Sequence, residues 1–327
     1  MSQPNPSDPP VSIGRRLKHL IEAGLLIGLL HLSRLFSLER ASAIGGWVGR
    51  KVAAPLLRKS STVRTIQIAF PDLDQAGAVR LIDGMADNLG RTLAEAAHLE
   101  KFMGEAGKSR FSFEGLEHVE AARDSGRPIL IISGHFGNFE LAFVMLHHVG
   151  VRCAAITRRP NNAYVADWFA NKRATLGFDQ QLPKGPEGTR RMVSMLRQGG
   201  HVGMLVDQHL SQGIPVPLFG REAMTVHTPA TLALSHGVIV LPIAVRREPG
   251  ARFRAVFHPP IEPPGLGNDA RDIIAMTTAL NAFVEAEVRA RPTDWLWMHK
   301  RWEPAAGLSR RAAKLLEAAK DPAVREN

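Results

Sequence analysis

From Phe111 to Phe257, short apolar runs alternate with longer amphipathic stretches. The runs Phe111–Phe113, Ile129–Ile132, Arg152–Ile156, Val202–Val206, Val238–Val245 and Arg254–Phe257 have the length and residue types of strands. Between most of them the spacing becomes helical, near Leu116–Arg123, Glu140–His148, Ala163–Leu176, Gly188–Leu196 and Pro229–Ser235. This alternation predicts an α/β fold with a largely parallel central sheet covered by helices. A proline-rich connection, Pro259–Pro264, leads to a last long helix from Asp269 to Arg289.

The first hundred residues read differently. Residues 1–12 are polar and rich in proline, the composition of a disordered tail. Residues 13–40 contain a leucine-rich stretch, Leu17 to Leu38, whose apolar run is unbroken only from Ala23 to Leu30. A membrane span takes roughly 20 mostly apolar residues. Glu22, His31 and Arg34 interrupt this one, so it either spans, lies in the interface, or packs as an ordinary amphipathic helix. Arg15, Arg16 and Lys18 precede it without a clear cleavage site after it, which marks an anchor rather than a removed signal. If it spans, the following basic residues Arg40, Arg50, Lys51, Arg58 and Lys59 place the main domain on the cytoplasmic side. From Ala41 to Lys101 the pattern is helical, with breaks at Gly45-Gly46, Pro55 and Phe70-Pro71-Asp72 and a long helix over Asp74–Leu99. The chain thus divides into a tail (1–12), an anchor or interfacial helix (13–40), an α/β unit (41–305) and a helical C-terminal tail (306–327).

Charge narrows the partners. The chain carries 41 Lys and Arg against 31 Asp and Glu, a net charge of +10, which favours anionic partners. It lacks a nucleic-acid-binding module and has one tyrosine, Tyr164, which leaves no stacking platform and excludes nucleic acid as the expected partner. The single cysteine, Cys153, excludes an intrachain disulfide and, within the run Val151–Ile156, reads as a buried inert thiol.

The densest chemistry lies in Ile129–Glu140, where His135 and Glu140 follow an apolar strand. On one straight helix their side chains would point about 140° apart. A strand–turn–helix corner removes that obstacle: Gly134 and Gly137 supply the turn, and Asn138 is placed to cap a helix from Phe139. Glu140 is then expected to hold one ring nitrogen of His135, leaving the other to take a proton from a hydroxyl. The spacing does not match a zinc protease helix. His135, Arg159 and Asp207 each follow the carboxyl end of a predicted strand, where ligands of parallel sheets gather.

The string Ser133-Gly-His-Phe-Gly-Asn-Phe-Glu140 resembles the His-x-x-x-x-Asp/Glu block of glycerolipid acyltransferases, in the form found in the late acyltransferases of lipid A biosynthesis. Thr157-Arg-Arg159-Pro-Asn-Asn162 resembles that family's Arg-Pro block, and Val206-Asp207-Gln208 with Ile214-Pro-Val-Pro-Leu-Phe-Gly220 its Asp-Gln and Pro-Phe-Phe-Gly blocks. Trp295-Leu-Trp297-Met-His299-Lys300-Arg301-Trp302 resembles its closing signature. The likeness runs from about Leu17 to Trp302. His227-Thr228 before Pro229, and Lys300 in place of an arginine, depart from the pattern and leave acceptor specificity open.

The resemblance implies transfer of a fatty acyl group from acyl carrier protein to a hydroxyl of a lipid A precursor, at the cytoplasmic face of a bacterial inner membrane among membrane lipids. His135 and Glu140 are the catalytic candidates. Arg159, Asn138, Asp207 and Gln208 are the substrate-binding candidates, with Arg159 on phosphate or oxyanion and Asn138 as an oxyanion donor. Neither metal nor cofactor is expected. Glu95 is read as a solvated charge, although the family places a matching glutamate at its site; Trp295, Trp297 and Trp302 form either an interfacial or acyl-chain wall or part of the core. The competing readings are a lysophospholipid or other glycolipid as acceptor, and a non-catalytic membrane-binding protein of the same fold.

Overall fold

The computed structural model describes residues 13–157, 160–174, 176, 180–303 and 307–320. Its strands are β1 (Phe111–Glu114), β2 (Ile129–Ser133), β3 (Ala154–Thr157), β4 (Gln181–Pro183), β5 (Val202–Leu205), β6 (Ile214–Leu218), β7 (Arg221–Thr225), β8 (Ile239–Glu248) and β9 (Arg252–Phe257). One sheet runs in the order β1-β9-β8-β2-β5-β3-β4, with β6 and β7 forming a separate hairpin. Its pairs are parallel except β8 with β9. Only residues 249–251 join those two strands, too few for the crossover that a parallel pair needs.

β2 lies at the middle of the sheet between β8 and β5, and all its residues are buried. Its side chains alternate between two cores, as the strand period requires. Leu130 and Ile132 enter the core shared with Ile82 and Met85; Ile129 and Ile131 enter the one shared with Val144, Met145 and Phe253. The helix Gln75–Ala96, capped by Asp74 accepting from the Gly77 amide at 2.6 Å, covers the first of these layers.

Gly45-Gly46 does not break the chain as its composition suggests. It lies inside the helix Leu38–Val48, which crosses Gln75–Ala96 so closely that a Cβ on Gly45, Gly49 or Gly90 would come within 2.4 Å of the opposing backbone oxygen. The glycines are contacts here rather than punctuation. Three strands, β4, β6 and β7, escaped the pattern. β4 has three residues, and β6 carries Pro215 and Pro217, which argue against a strand. Asn281 Nδ2 donates to the Pro217 carbonyl at 2.9 Å, tying the hairpin to the helix Asp269–Ala290.

The N-terminal helix, Ile13–Ser33, lies on the fold rather than away from it. Asn162 Nδ2 donates to the His19 carbonyl at 2.7 Å, and Ala23 and Leu30 are buried. Leu17, Leu20, Ile21, Leu25, Leu29 and Leu32 remain exposed, at roughly helical spacing. Among the described residues no helix is long and apolar enough to cross a membrane.

Candidate active site

β2 carries the chain to Ser133, whose hydroxyl donates to the Ile243 carbonyl at 2.7 Å. The backbone then turns at a corner only glycine fits at Gly137, where φ is 52° and a Cβ would meet the Val245 oxygen at 2.3 Å. A 3-10 turn over Phe139–Leu141 leads into the helix Ala142–His148. The expected strand–turn–helix corner is present.

The carboxylate that meets His135 comes from the neighbouring strand. Asp207 follows β5, and its Oδ1 lies 2.9 Å from Nδ1 of His135. Its Oδ2 accepts from the His135 backbone amide and from Trp295 Nε1, both at 2.8 Å. Asp207 is fully buried. Burial opposes its charge, but the pairing with His135 and the hydrogen bonds hold its carboxyl well below the usual range. Burial likewise opposes a charged His135; the Asp207 charge and hydrogen bond, with Glu140 adding to them and Lys184 acting against, hold its pKa above the ordinary value. An ionised Asp207 fixes the proton on Nδ1 and leaves Nε2 as the basic nitrogen. Nε2 lies 3.2 Å from the amide nitrogen of Gln208, which is also 3.2 Å from Nε2 of His299.

The expected hydrogen bond from His135 to Glu140 is therefore corrected. Glu140 is held by Arg173, whose Nε and Nη2 donate to its two oxygens at 2.8 and 2.5 Å. The guanidinium fork satisfies both oxygens, while Asp207 reaches the imidazole from the adjacent strand. Asn138 stands at the start of the 3-10 turn, but its side chain does not cap it. Its Nδ2 donates to Glu95 at 2.8 Å, so the donor expected for an oxyanion is engaged, and its buried Oδ1 has no partner among the described residues. Glu95 is not a solvated charge: it is fully buried, bound by Arg247, Ser42 and Asn138. Arg159 lies outside the described residues. Gln208 and Asp207 are brought to His135 as the sequence suggests.

The sequence left Trp295 between a wall and the core, and gave His299 and Arg247 no role. Trp295 and Trp297 are fully buried, which places both in the core, and Trp295 also holds the Asp207 carboxylate. His299 approaches His135 with ring centroids 4.9 Å apart. Arg247 binds Asn88, Thr92 and Glu95, and Asn88 and Thr92 in turn donate to the Gly137 carbonyl, so a buried network holds the corner from below. The closing block pointed to the region of Trp295 and His299; Arg247, inside a strand, carried no such signal. Burial pushes the Cys153 thiol up to about 12, which leaves it inert at neutral pH.

A narrow crevice of about 10 Å³ runs beside His135, lined by Met85, Leu89, Phe139, Trp295 and Leu296 among others. A profile described as bacterial lipid A biosynthesis acyltransferase matches residues 13–303. The chain belongs to this family. Membership makes it an acyltransferase. It is 24% identical to the lipid A biosynthesis lauroyltransferase of Escherichia coli (strain K12) over 269 residues, 80% of this chain and 84% of the relative. It is 22% identical over 258 residues to that organism's lipid A biosynthesis palmitoleoyltransferase, 77% of this chain and 81% of the relative. It is also 27% identical over 203 residues to the phosphatidylinositol mannoside acyltransferase of Mycobacterium tuberculosis (strain CDC 1551 / Oshkosh), 61% of this chain and 62% of the relative.

Proposed function

We propose that this acyltransferase moves a fatty acyl group from acyl carrier protein to a hydroxyl of a lipid A precursor, with His135 as general base. The observation that carries the reading is the orientation of His135: Asp207 holds Nδ1, and Nε2 is the nitrogen left to accept a proton. His135 Nε2 takes the acceptor's hydroxyl proton as the oxygen attacks the thioester carbonyl. The C–S bond then breaks, the carrier thiolate receives the proton from the imidazolium, and ester and thiol are released. Asp207 keeps the tautomer and stabilises the imidazolium without taking its proton. Glu140 adds negative potential to the imidazolium and, through Arg173, ties the corner to the helix Ala163–Ala174.

The oxyanion needs donors other than Asn138 in this arrangement. The first amides of the 3-10 turn, at Phe139 and Glu140, have no partner within the turn and suit developing negative charge. Arg159 is assigned to acceptor phosphate or oxyanion on the resemblance of its block. The exposed stripe Leu17–Leu32 supports docking in a membrane interface, and the bacterial inner membrane and its cytoplasmic face are assigned on the resemblance. Replacing Leu20, Leu25 and Leu29 together by Asp would then release the protein from anionic vesicles in a flotation assay.

A second acceptor class has a specific basis, because relatives named for lipid A and for phosphatidylinositol mannoside show similar identity. Purified protein and His135→Ala are given acyl-carrier donors with a lipid A precursor, a phosphatidylinositol mannoside or a lysophospholipid, and products are read by mass spectrometry. One added acyl group on the lipid A precursor, lost in His135→Ala, is expected. Transfer to another acceptor alone moves the substrate; folded protein with no His135-dependent transfer overturns the reading.

A further inference from the structure

The base nitrogen of His135 does not open directly onto a free space. The Gln208 amide nitrogen stands 3.2 Å from it and 3.2 Å from Nε2 of His299. An amide NH2 has two hydrogens and each neutral imidazole one acceptor nitrogen. One amide can therefore satisfy both rings, provided that both carry their proton on Nδ1. Asp207 enforces that tautomer on His135.

His299 is held to this task by its segment. Two residues before it, Trp297 is buried, and Trp295 donates to Asp207. Two residues after it, the buried Arg301 donates to the Met224 carbonyl and to Thr225 at 2.7 Å each. The segment is thus anchored on both sides of the ring. Charged or titratable groups acting on the pair are Asp207, Glu140, Lys184 and the two imidazoles themselves. Burial, with the adjacent His135 charge next, Asp207 opposing and Lys184 smaller, pushes His299 down to about 4, so the ring is neutral at neutral pH and has one acceptor nitrogen to offer Gln208.

Resting on the reading of His135 as base, we propose that Gln208 and His299 form a cap on Nε2 of His135 that keeps water from it until an acceptor hydroxyl displaces one amide hydrogen bond. Gln208 touches the base and is the cap itself. His299 acts through Gln208 and is a positioning residue: it retains the second amide hydrogen bond while the first is exchanged. The reaction the cap suppresses is hydrolysis. There, water attacks the thioester carbonyl after losing a proton to His135, the C–S bond breaks, and the carrier thiol leaves with that proton, giving free fatty acid. Exclusion of water from a reactive acyl donor is a recognised use of a closed site.

The test reads the partition between the two outcomes. Wild type, Gln208→Leu, His299→Phe and His299→Gln are given the acyl-carrier thioester and acceptor that wild type uses fastest. Free fatty acid and acylated acceptor are quantified together by mass spectrometry, and folding is checked by thermal unfolding. The ratio of hydrolysis to transfer is expected to rise by about tenfold in Gln208→Leu and His299→Phe. His299→Gln, whose side-chain oxygen can accept the same amide hydrogen, should stay near wild type. An unchanged ratio in both cap variants, or His299→Gln behaving like His299→Phe, overturns the cap. Absence of His135-dependent transfer in wild type overturns the underlying reading instead. Long-range ¹⁵N spectra of the wild-type imidazoles give an answer that needs no variant: a protonated Nε2 on His299 at neutral pH overturns the cap, and unprotonated Nε2 on both rings supports it.

Discussion

Nδ1 of His135 lies 2.9 Å from Oδ1 of Asp207, a residue seventy-two positions later that the sheet brings beside it by pairing β2 with β5. The same carboxylate accepts the His135 backbone amide, so ring and main chain are fixed by one group. Asp207→Asn keeps the size but removes the charge and lets the amide favour the wrong tautomer. Transfer should fall on the order of 10³- to 10⁴-fold in kcat, the scale seen when a base loses its orienting carboxylate. Glu140→Gln should cost less. Steady-state kinetics of the two variants decide between them, and a larger loss in Glu140→Gln would mean that Glu140 turns onto His135 once substrate is bound.

The same pairing sets a pH dependence. Base catalysis needs neutral His135, whose pKa is raised from its ordinary 6.5. The acid limb of kcat/KM should therefore have its midpoint above 6.5, and Asp207→Asn should move it down. Stability carries the opposite signs for the two partners. The raised His135 contributes fully below 6.5 and loses that contribution as pH rises through its folded value. The depressed Asp207 contributes above 3.8 and loses it as pH falls through its folded value. Their joint contribution to stability is largest between those limits, which denaturant midpoints across pH will show.

Glu140 and Arg173 form one unit, with both carboxylate oxygens held by the guanidinium. If Glu140 acts by tying the corner to the helix Ala163–Ala174, Arg173→Ala should reproduce much of the Glu140→Ala defect. The double variant should then be little worse than either. A double-mutant cycle on kcat/KM measures this coupling. Additive losses would separate the two roles and return Glu140 to direct action on His135.

The corner was legible because it is local: strand, glycine turn and helix start lie within twelve residues, and Gly137 has the left-handed backbone its place requires. The parallel sheet was legible for the same reason, since each strand–helix alternation is written in a short window. The partner of His135 was not. Glu140 is near in sequence, but only the register of β2 against β5 puts Asp207 under the ring. The Asp-Gln block pointed to Asp207 as a site residue without giving it this task. Burial of Glu95 escaped for a related reason: its neutralising partner, Arg247, lies on β8, with nothing in either local sequence to join them. Pro215 and Pro217 hid the hairpin because a rule that holds inside sheets is relaxed in a separate two-stranded pair.

The Glu95–Arg247 pair yields the strongest stability prediction. Glu95 is fully buried and Arg247 nearly so, and the pair also binds Ser42, Asn88, Thr92 and Asn138. Glu95→Ala leaves a buried guanidinium without its counter-charge and Asn138 without its acceptor. Such a loss should destabilise the fold by about 3–5 kcal/mol, measured from denaturant midpoints. Replacing both residues by leucine removes both buried charges, so Glu95→Leu/Arg247→Leu should be more stable than Glu95→Ala. Transfer should nevertheless remain poor in the double variant, because Asn88 and Thr92 lose Arg247 while still having to position the Gly137 carbonyl. Recovery of stability without recovery of kcat would therefore assign this network to holding the catalytic corner; recovery of both would leave it a role in folding alone.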